Sequence, residues 1–273
     1  MGISVTDREQ LGGFYMDIEL KNLEKWIFKE FKMDLSAYKS NQMNRRLSNL
    51  ISRSGSSNVD DYIRMLEKSP ELKQKLADFI TINVSEFFRN KELFLELEDK
   101  IKTILLNRSE KLKIWSAACS NGAEPYSVAL ILDKLTPRVK HTIIGTDIDQ
   151  TILDTAKKGI YGPNDIKNVD KDVIEKYFKL DNGKYILNPE ITNRVNLKKH
   201  DLILDNYDKG FDLIICRNVV IYFTQEVKEK IYRKFYDSLC MGGLLFVGAT
   251  ESIYNYKEYG FDKASTFIYQ RKK

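Results

Sequence analysis

The sequence predicts an α/β fold, a mostly parallel sheet covered by helices, with an all-helical segment ahead of it. Three observations predict this. The first ~110 residues place apolar side chains at helical spacing. From Leu112 onward, short apolar runs of strand-like composition alternate with helical stretches, the pattern of a parallel sheet. The stretch from about Ile160 to Asn196 breaks that alternation with a hairpin signal of its own. The expected domains are a helical domain over 1–90 and an α/β domain over 91–273, the latter carrying a small β-insertion at about 160–196.

In the first part, Ile18, Leu23, Trp26, Ile27 and Phe31 mark one helix. Tyr38, Met43, Leu47, Leu50 and Ile51 mark a second, from Ser36 to Arg53, stopped by Gly55 and the polar residues after it. Asn58 is placed to cap a third helix bearing Tyr62, Ile63 and Leu66. Pro70 suits the first turn of a fourth, with Leu72, Leu76 and Phe79. A longer helix from about Lys91 to Leu106 links this bundle to the α/β part. Strands are then expected at 112–118, 142–146, Val195–Lys199 and 211–216, with another strand-like run at Leu244–Thr250. Helices are expected near 124–135, 149–157 and 225–239. Within the insertion, Asp170–Phe178 reads as helical and Asp181-Asn182-Gly183 as a tight hairpin turn.

Composition narrows the function. A chain of 273 residues with 42% hydrophobic and 30% charged residues has the make-up of a soluble globular protein. No apolar run approaches the ~20 residues of a membrane span. The opening ten residues have neither a basic stretch nor an apolar one, so the expectation is a cytoplasmic protein without membrane insertion. Cys119, Cys216 and Cys240 have no CxxC spacing, which argues against disulfides and a zinc site. Two distant histidines, His141 and His200, make histidine-based metal or triad chemistry improbable, and no metal is expected. The net charge of +5 is a mild bias toward anionic partners.

In an open parallel sheet, ligands bind beyond the carboxyl ends of the strands. After Lys113–Ala118 come Cys119, Ser120, Asn121, Gly122, Ala123, Glu124 and Pro125. Small residues there let the backbone approach a ligand, although a plain connecting turn looks the same. Gly145-Thr146-Asp147-Ile148-Asp149 ends the next strand, and an acid there can accept hydrogen bonds from ribose hydroxyls. Asp149 suits a helix cap, which leaves Asp147 as the ligand candidate. No basic residue accompanies the first loop, so a nucleoside without pyrophosphate, such as S-adenosylmethionine, fits better than a dinucleotide. His200-Asp201-Leu202 offers an acid for an adenine amino group and an apolar cover, or a polar turn. Arg217 and Asn218, straight after a buried strand, fall in the same crevice; Tyr222 and Phe223 beyond them are readable as packing.

Together these segments resemble the CheR family of chemotaxis-receptor protein-glutamate O-methyltransferases. The matching blocks are Thr81–Arg89, Ile114–Ser120, Glu124–Ser127, Thr146–Asp149, Cys216–Phe223 and Gly242–Gly248, in the family's order and spacing. The resemblance covers the chain from about Ile18 to its end. It implies a helical N-terminal domain and a class I, Rossmann-like S-adenosylmethionine methyltransferase domain with an inserted β-subdomain. By resemblance, Asn83, Ser85 and Arg89 contact the cofactor, Glu124 its amino end and Asp147 its ribose. Asp201 and Leu202 flank the adenine, and Arg217 and Asn218 line the pocket. Arg89 and Tyr222 are implied to lie closest to the transferred methyl. The chain departs from the family at Ala123, where a first acid usually precedes Glu124, and at Asp201, where asparagine is frequent.

The implied reaction gives glutamate methyl esters on chemoreceptors and S-adenosylhomocysteine as product, in sensory adaptation. A glutamate acceptor is ionised at neutral pH, so alignment and exclusion of water matter more than a general base. Lys39, Arg46 and Arg53 fall at heptad spacing, one stripe on the second helix that suits the acidic cytoplasmic helices of a receptor or is simply solvated. A monomer is expected, with no nucleic-acid partner. The loop Arg217–Tyr222 lacks the proline pair and stacking aromatic of amino-methylating enzymes of bases. The alternative is a cofactor-binding module that docks to receptors and transfers methyl poorly, with Ala123 as its only support.

Overall fold

A computed structural model describes residues 20–272. The reading of the opening ten residues and the place of Ile18 in the first helix lie outside the described residues. The chain forms two compact units. One runs to Thr81 and includes Tyr222–Thr224; the other comprises Ile82–Ile221 and the chain from Gln225 onward.

In the helical unit, α1 (20–31) buries Leu20, Leu23 and Ile27 on one side. The second helix, α2, spans Ser40–Arg53 and starts later than the expected Ser36. The reason is local chemistry. Asp34 accepts the Ser36 N–H at 3.0 Å and closes a 3-10 turn over Leu35–Ala37. Tyr38 then turns extended and forms a bridge with Phe223, the two rings meeting edge to face. Around that bridge, the N–H of Lys39 donates to the Tyr222 carbonyl and that of Thr224 to the Ala37 carbonyl, each at 2.9 Å. Met43, Leu47 and Ile51 form the buried stripe of α2, four residues apart. Asn58 caps α3 (Val59–Lys68), its side chain accepting the Asp61 N–H at 2.8 Å. Pro70 opens α4 (Pro70–Thr81), where its missing N–H has no helical acceptor to lose.

The larger unit begins its regular structure with α5 (Lys91–Lys100), which continues as a π-helical turn over Ile101–Leu105. The helix expected over 91–106 is therefore one run with a change of pitch. Strands β1 (Lys113–Ala117), β2 (Thr142–Asp147), β6 (Val195–Lys199), β7 (Phe211–Cys216) and β8 (Leu239–Val247) run parallel to one another. Their order is β6-β2-β1-β7-β8, followed by antiparallel β10 (Ile268–Arg271) and β9 (Phe261–Lys263). Every residue of β7 is buried, as a central strand covered on both faces requires. Helices α6 (Ala123–Leu135), α7 (Gln150–Lys158) and α10 (Gln225–Ser238) are the crossovers. From β1 the chain moves outward to β2 and β6, then returns to the other side of β1 at β7. The switch in strand order therefore lies between β1 and β7, and the ligand crevice is expected at their carboxyl ends.

The insertion is a separate three-stranded antiparallel sheet of β3 (Ile160–Tyr161), β5 (Lys184–Leu187) and β4 (Phe178–Asp181), with β5 in the middle. Helix α8 (Lys171–Tyr177) precedes β4, and α9 (Pro189–Thr192) follows β5. Asn182 and Gly183 both take positive φ, +46° and +74°, the geometry of the expected two-residue hairpin. No helix among the described residues is long and apolar enough to cross a membrane.

Candidate active site

The crevice is built from four strand ends and the segment Ile82–Asn90. After β1 the backbone twists through Ala118 (φ +60°), Ser120 (φ +51°) and Gly122 (φ +81°) before entering α6. Only Gly122 is free of the side-chain penalty for that conformation. A Cβ there would also lie 2.8 Å from the Tyr126 ring. The strain in this loop is offset by β2, whose Thr146 carbonyl accepts the Cys119 N–H at 2.8 Å. The Asp147 carboxylate accepts the Ser120 N–H at 2.8 Å and the Asp149 N–H at 3.1 Å. Burial pushes the Asp147 carboxyl above its usual range, and those N–H groups pull against the rise.

Glu124 stands in the first turn of α6, buried below the crevice. It accepts the Ser116 hydroxyl at 2.7 Å and faces Arg217 at 3.6 Å. Burial raises its carboxyl, against the attraction of Arg217 and the hydrogen bond from Ser116. Ala123 beside it is fully buried within the hydrophobic core. An acid at 123 would therefore be a core substitution, and its absence leaves Glu124 in place.

Arg217 packs against the Phe94 and Phe246 rings, its guanidinium carbon 5.2 Å and 4.8 Å from their centres. It donates to the Arg89 carbonyl at 2.8 Å and to the Asn90 side chain at 3.0 Å. The acid that Arg217 faces is the buried Glu124.

The segment Ile82–Asn90 is tied to this frame by side chains at several points. Asn83 donates to Asp149 at 2.7 Å, while Asp149 also caps α7 through Thr151 and Ile152. Asn121 donates to the Ser85 carbonyl at 3.2 Å, and Ser127 accepts the Phe88 N–H at 3.0 Å. Arg89 folds back to the Val84 carbonyl at 3.2 Å. Ile82, Phe88 and Asn90 all have positive φ, a concentration of strained backbone that marks functional segments.

At the β6 end, the Asp147 carbonyl accepts the His200 N–H at 2.9 Å. Asp201 accepts the N–H groups of Ile203 and Leu204, so its side chain organises the turn that buries Leu202. Beneath it, Trp115, His200, Tyr207, Phe211 and Phe235 form one aromatic cluster.

Six buried side-chain polar atoms lack a hydrogen-bond partner among the described residues. Three of them, Ser120 Oγ, His200 Nε2 and Arg217 Nε, sit just beyond β1, β6 and β7. Unpaired buried polar atoms are costly. Their grouping at the strand ends fits a polar, partly cationic ligand among Glu124, Asp147 and Asp201.

Residues 18–81 match the description "CheR methyltransferase, all-alpha domain", and residues 83–268 match "CheR methyltransferase, SAM binding domain". The chain belongs to the CheR methyltransferase family. A chemotaxis protein methyltransferase of Listeria innocua is 38% identical over 89% of this chain and 93% of that protein. One from Borreliella burgdorferi is 34% identical over 91% and 93%. The Escherichia coli K12 protein of the same description is 30% identical over 86% and 85%. The protein is accordingly an S-adenosylmethionine-dependent methyltransferase with an all-α domain ahead of a Rossmann-like one.

Membership in CheR implied cofactor contacts for Asn83, Ser85, Arg89, Glu124, Asp147, Asp201, Leu202, Arg217 and Asn218. All of these lie in the larger unit, on the segment Ile82–Asn90 or at strand ends. Tyr222 groups with the helical unit, as do Lys39, Arg46 and Arg53. Lys39 and Arg53 are exposed. Arg46 instead donates to the Phe79 carbonyl in the last turn of α4 and stacks over the Phe79 ring, a cation placed at a helix C-terminus. Sequence reasoning did not find Ser116, Asn90 or Glu251. Glu251, buried after β8, accepts backbone N–H groups from two loops.

Proposed function

We propose that the protein methylates glutamate side chains of chemoreceptors, using S-adenosylmethionine, with the crevice at β1, β2, β6 and β7 as its cofactor site. The observation that carries the site is the Glu124–Arg217–Arg89 chain beside Asp147, with the unpaired Ser120, His200 and Arg217 atoms around it.

The cofactor supplies an electrophilic methyl group on a positively charged sulfur. The residues do the rest. Glu124, carrying negative charge in a buried place, holds the ammonium end. Asp147, at the end of β2, takes the ribose hydroxyls. Leu202 and the turn closed by Asp201 cover the adenine. Arg89 and Arg217 supply positive charge for carboxylates, first the cofactor's own. Arg89 is the residue assigned to the reacting end. None of these groups needs to titrate, because the acceptor carboxylate is already ionised. The work is orientation and exclusion of water. Lys39 and Arg53, exposed on and beside α2, are assigned to docking the acidic helices of a receptor. Arg46 is shared between that surface and the end of α4.

Titration calorimetry with S-adenosylhomocysteine, paired with transfer of labelled methyl to receptor cytoplasmic fragments, tests this. Binding together with base-labile label on the receptor is expected. Tight binding with no label on any receptor would favour the docking module instead.

A further inference from the structure

The loop leaving β7 is held by a carboxylate from the loop leaving β8. Glu251 is only 5% exposed. Its Oε2 accepts the N–H of Asn218 at 2.5 Å and of Gly248 at 2.9 Å, and its Oε1 accepts that of Val219 at 3.1 Å. Asn218 takes φ +61°, so successive N–H groups turn toward one point. Such concave groups of backbone N–H bind anions; here the chain supplies its own. The fit is close, because a Cβ on Gly248 would collide with Oε2.

Arg217 is the residue before this loop, and its guanidinium meets Glu124 and the Arg89 carbonyl. Glu251 also acts on both through charge: it favours the charged Arg217 and disfavours the charged Glu124. The backbone from which Arg217 and Asn218 project is therefore set by a side chain distant in sequence, on the far side of α10 and β8.

We propose that Glu251 is a positioning residue for methyl transfer, holding the Arg217–Ile221 loop in the conformation that receives the cofactor. The inference rests on reading the crevice as the S-adenosylmethionine site. Its effect is exerted through Arg217 and Asn218. Without the carboxylate the loop samples other turns, and apparent affinity falls by the fraction of time it is competent.

The test uses the full chain. In Glu251→Gln the side chain keeps its shape, but the amide nitrogen cannot accept an N–H. S-adenosylhomocysteine should bind about tenfold more weakly, as expected if the competent loop falls to about one molecule in ten. The KM for S-adenosylmethionine should rise with it, more than kcat falls. Glu251→Asp, which keeps the charge, should recover part of the loss. Gly248→Ala, which crowds Oε2 and leaves Glu251 intact, should weaken binding in the same direction. Wild-type affinity in the folded fraction, with activity lost only as lower kcat, would overturn the proposal. So would failure of all three variants to fold, since Glu251 would then serve the fold alone. A wild-type protein that does not bind S-adenosylhomocysteine would overturn the reading of the crevice instead.

Discussion

Glu124 carries the most chemistry in the crevice and the plainest prediction. A charge-assisted hydrogen bond contributes about 1.5–3 kcal/mol, so Glu124→Gln should weaken S-adenosylmethionine binding about ten- to a hundredfold by calorimetry. Burial raises the carboxyls of both Glu124 and Asp147 above 4.5 and 3.8. As pH falls, each loses its charge sooner than an exposed acid would, and cofactor affinity should decline with it from above those values. Part of that decline should disappear in Glu124→Gln. For the ligand-free fold the sign reverses. A raised carboxyl favours folding below its ordinary value and loses that contribution as pH rises through the raised one, which unfolding measured against pH will show. Asp147 and Arg217 stood out as candidates because each stands at a strand end, where the fold class says ligands bind. Glu124, in the first turn of α6, was implied only by the family resemblance. Glu251 was not legible: its partners are the backbone N–H groups of Asn218, Val219 and Gly248, and no spacing in the sequence announces them.

Elements were legible where the apolar period was clean and a cap was present. Asn58 and Pro70 start their helices as expected, and Asn182-Gly183 turns its hairpin. Asn58→Ala should lower stability by about 1 kcal/mol, the usual cost of a lost N-cap, seen as a lower Tm. A change within error would mean that the water-exposed end of α3 is satisfied without it. The start of α2 differs from its sequence pattern, because Ser36–Tyr38 has helical composition while Asp34 and Phe223 hold it in another shape. Strands β9 and β10 had no counterpart among the expected elements. Lys263 to Phe267 is short and polar, and Ile268–Arg271 pairs with β8 through contacts that no local pattern encodes. The π turn at Ile101–Leu105 is equally silent, since one extra residue per turn leaves the apolar spacing nearly unchanged.

For the whole molecule, cofactor binding is assigned to the larger unit and receptor docking to the helical one, and those roles should separate by mutation. The double charge reversal Lys39→Glu with Arg53→Glu should cut methylation of receptor fragments, most strongly at low salt where exposed charges act furthest, with S-adenosylhomocysteine affinity unchanged. Arg46→Glu is a poorer probe, because it also removes the cation at the end of α4. Unchanged methylation in the double variant would place docking elsewhere. The most direct measurement is incubation of the protein with S-adenosylmethionine and the cytoplasmic fragment of a candidate chemoreceptor, with mass-spectrometric mapping of the methyl groups. The expected result is base-labile methyl esters on glutamate side chains of the receptor helices, absent in Glu124→Gln at limiting cofactor. Methyl groups on nitrogen, on nucleic acid, or on no receptor despite tight cofactor binding would contradict it.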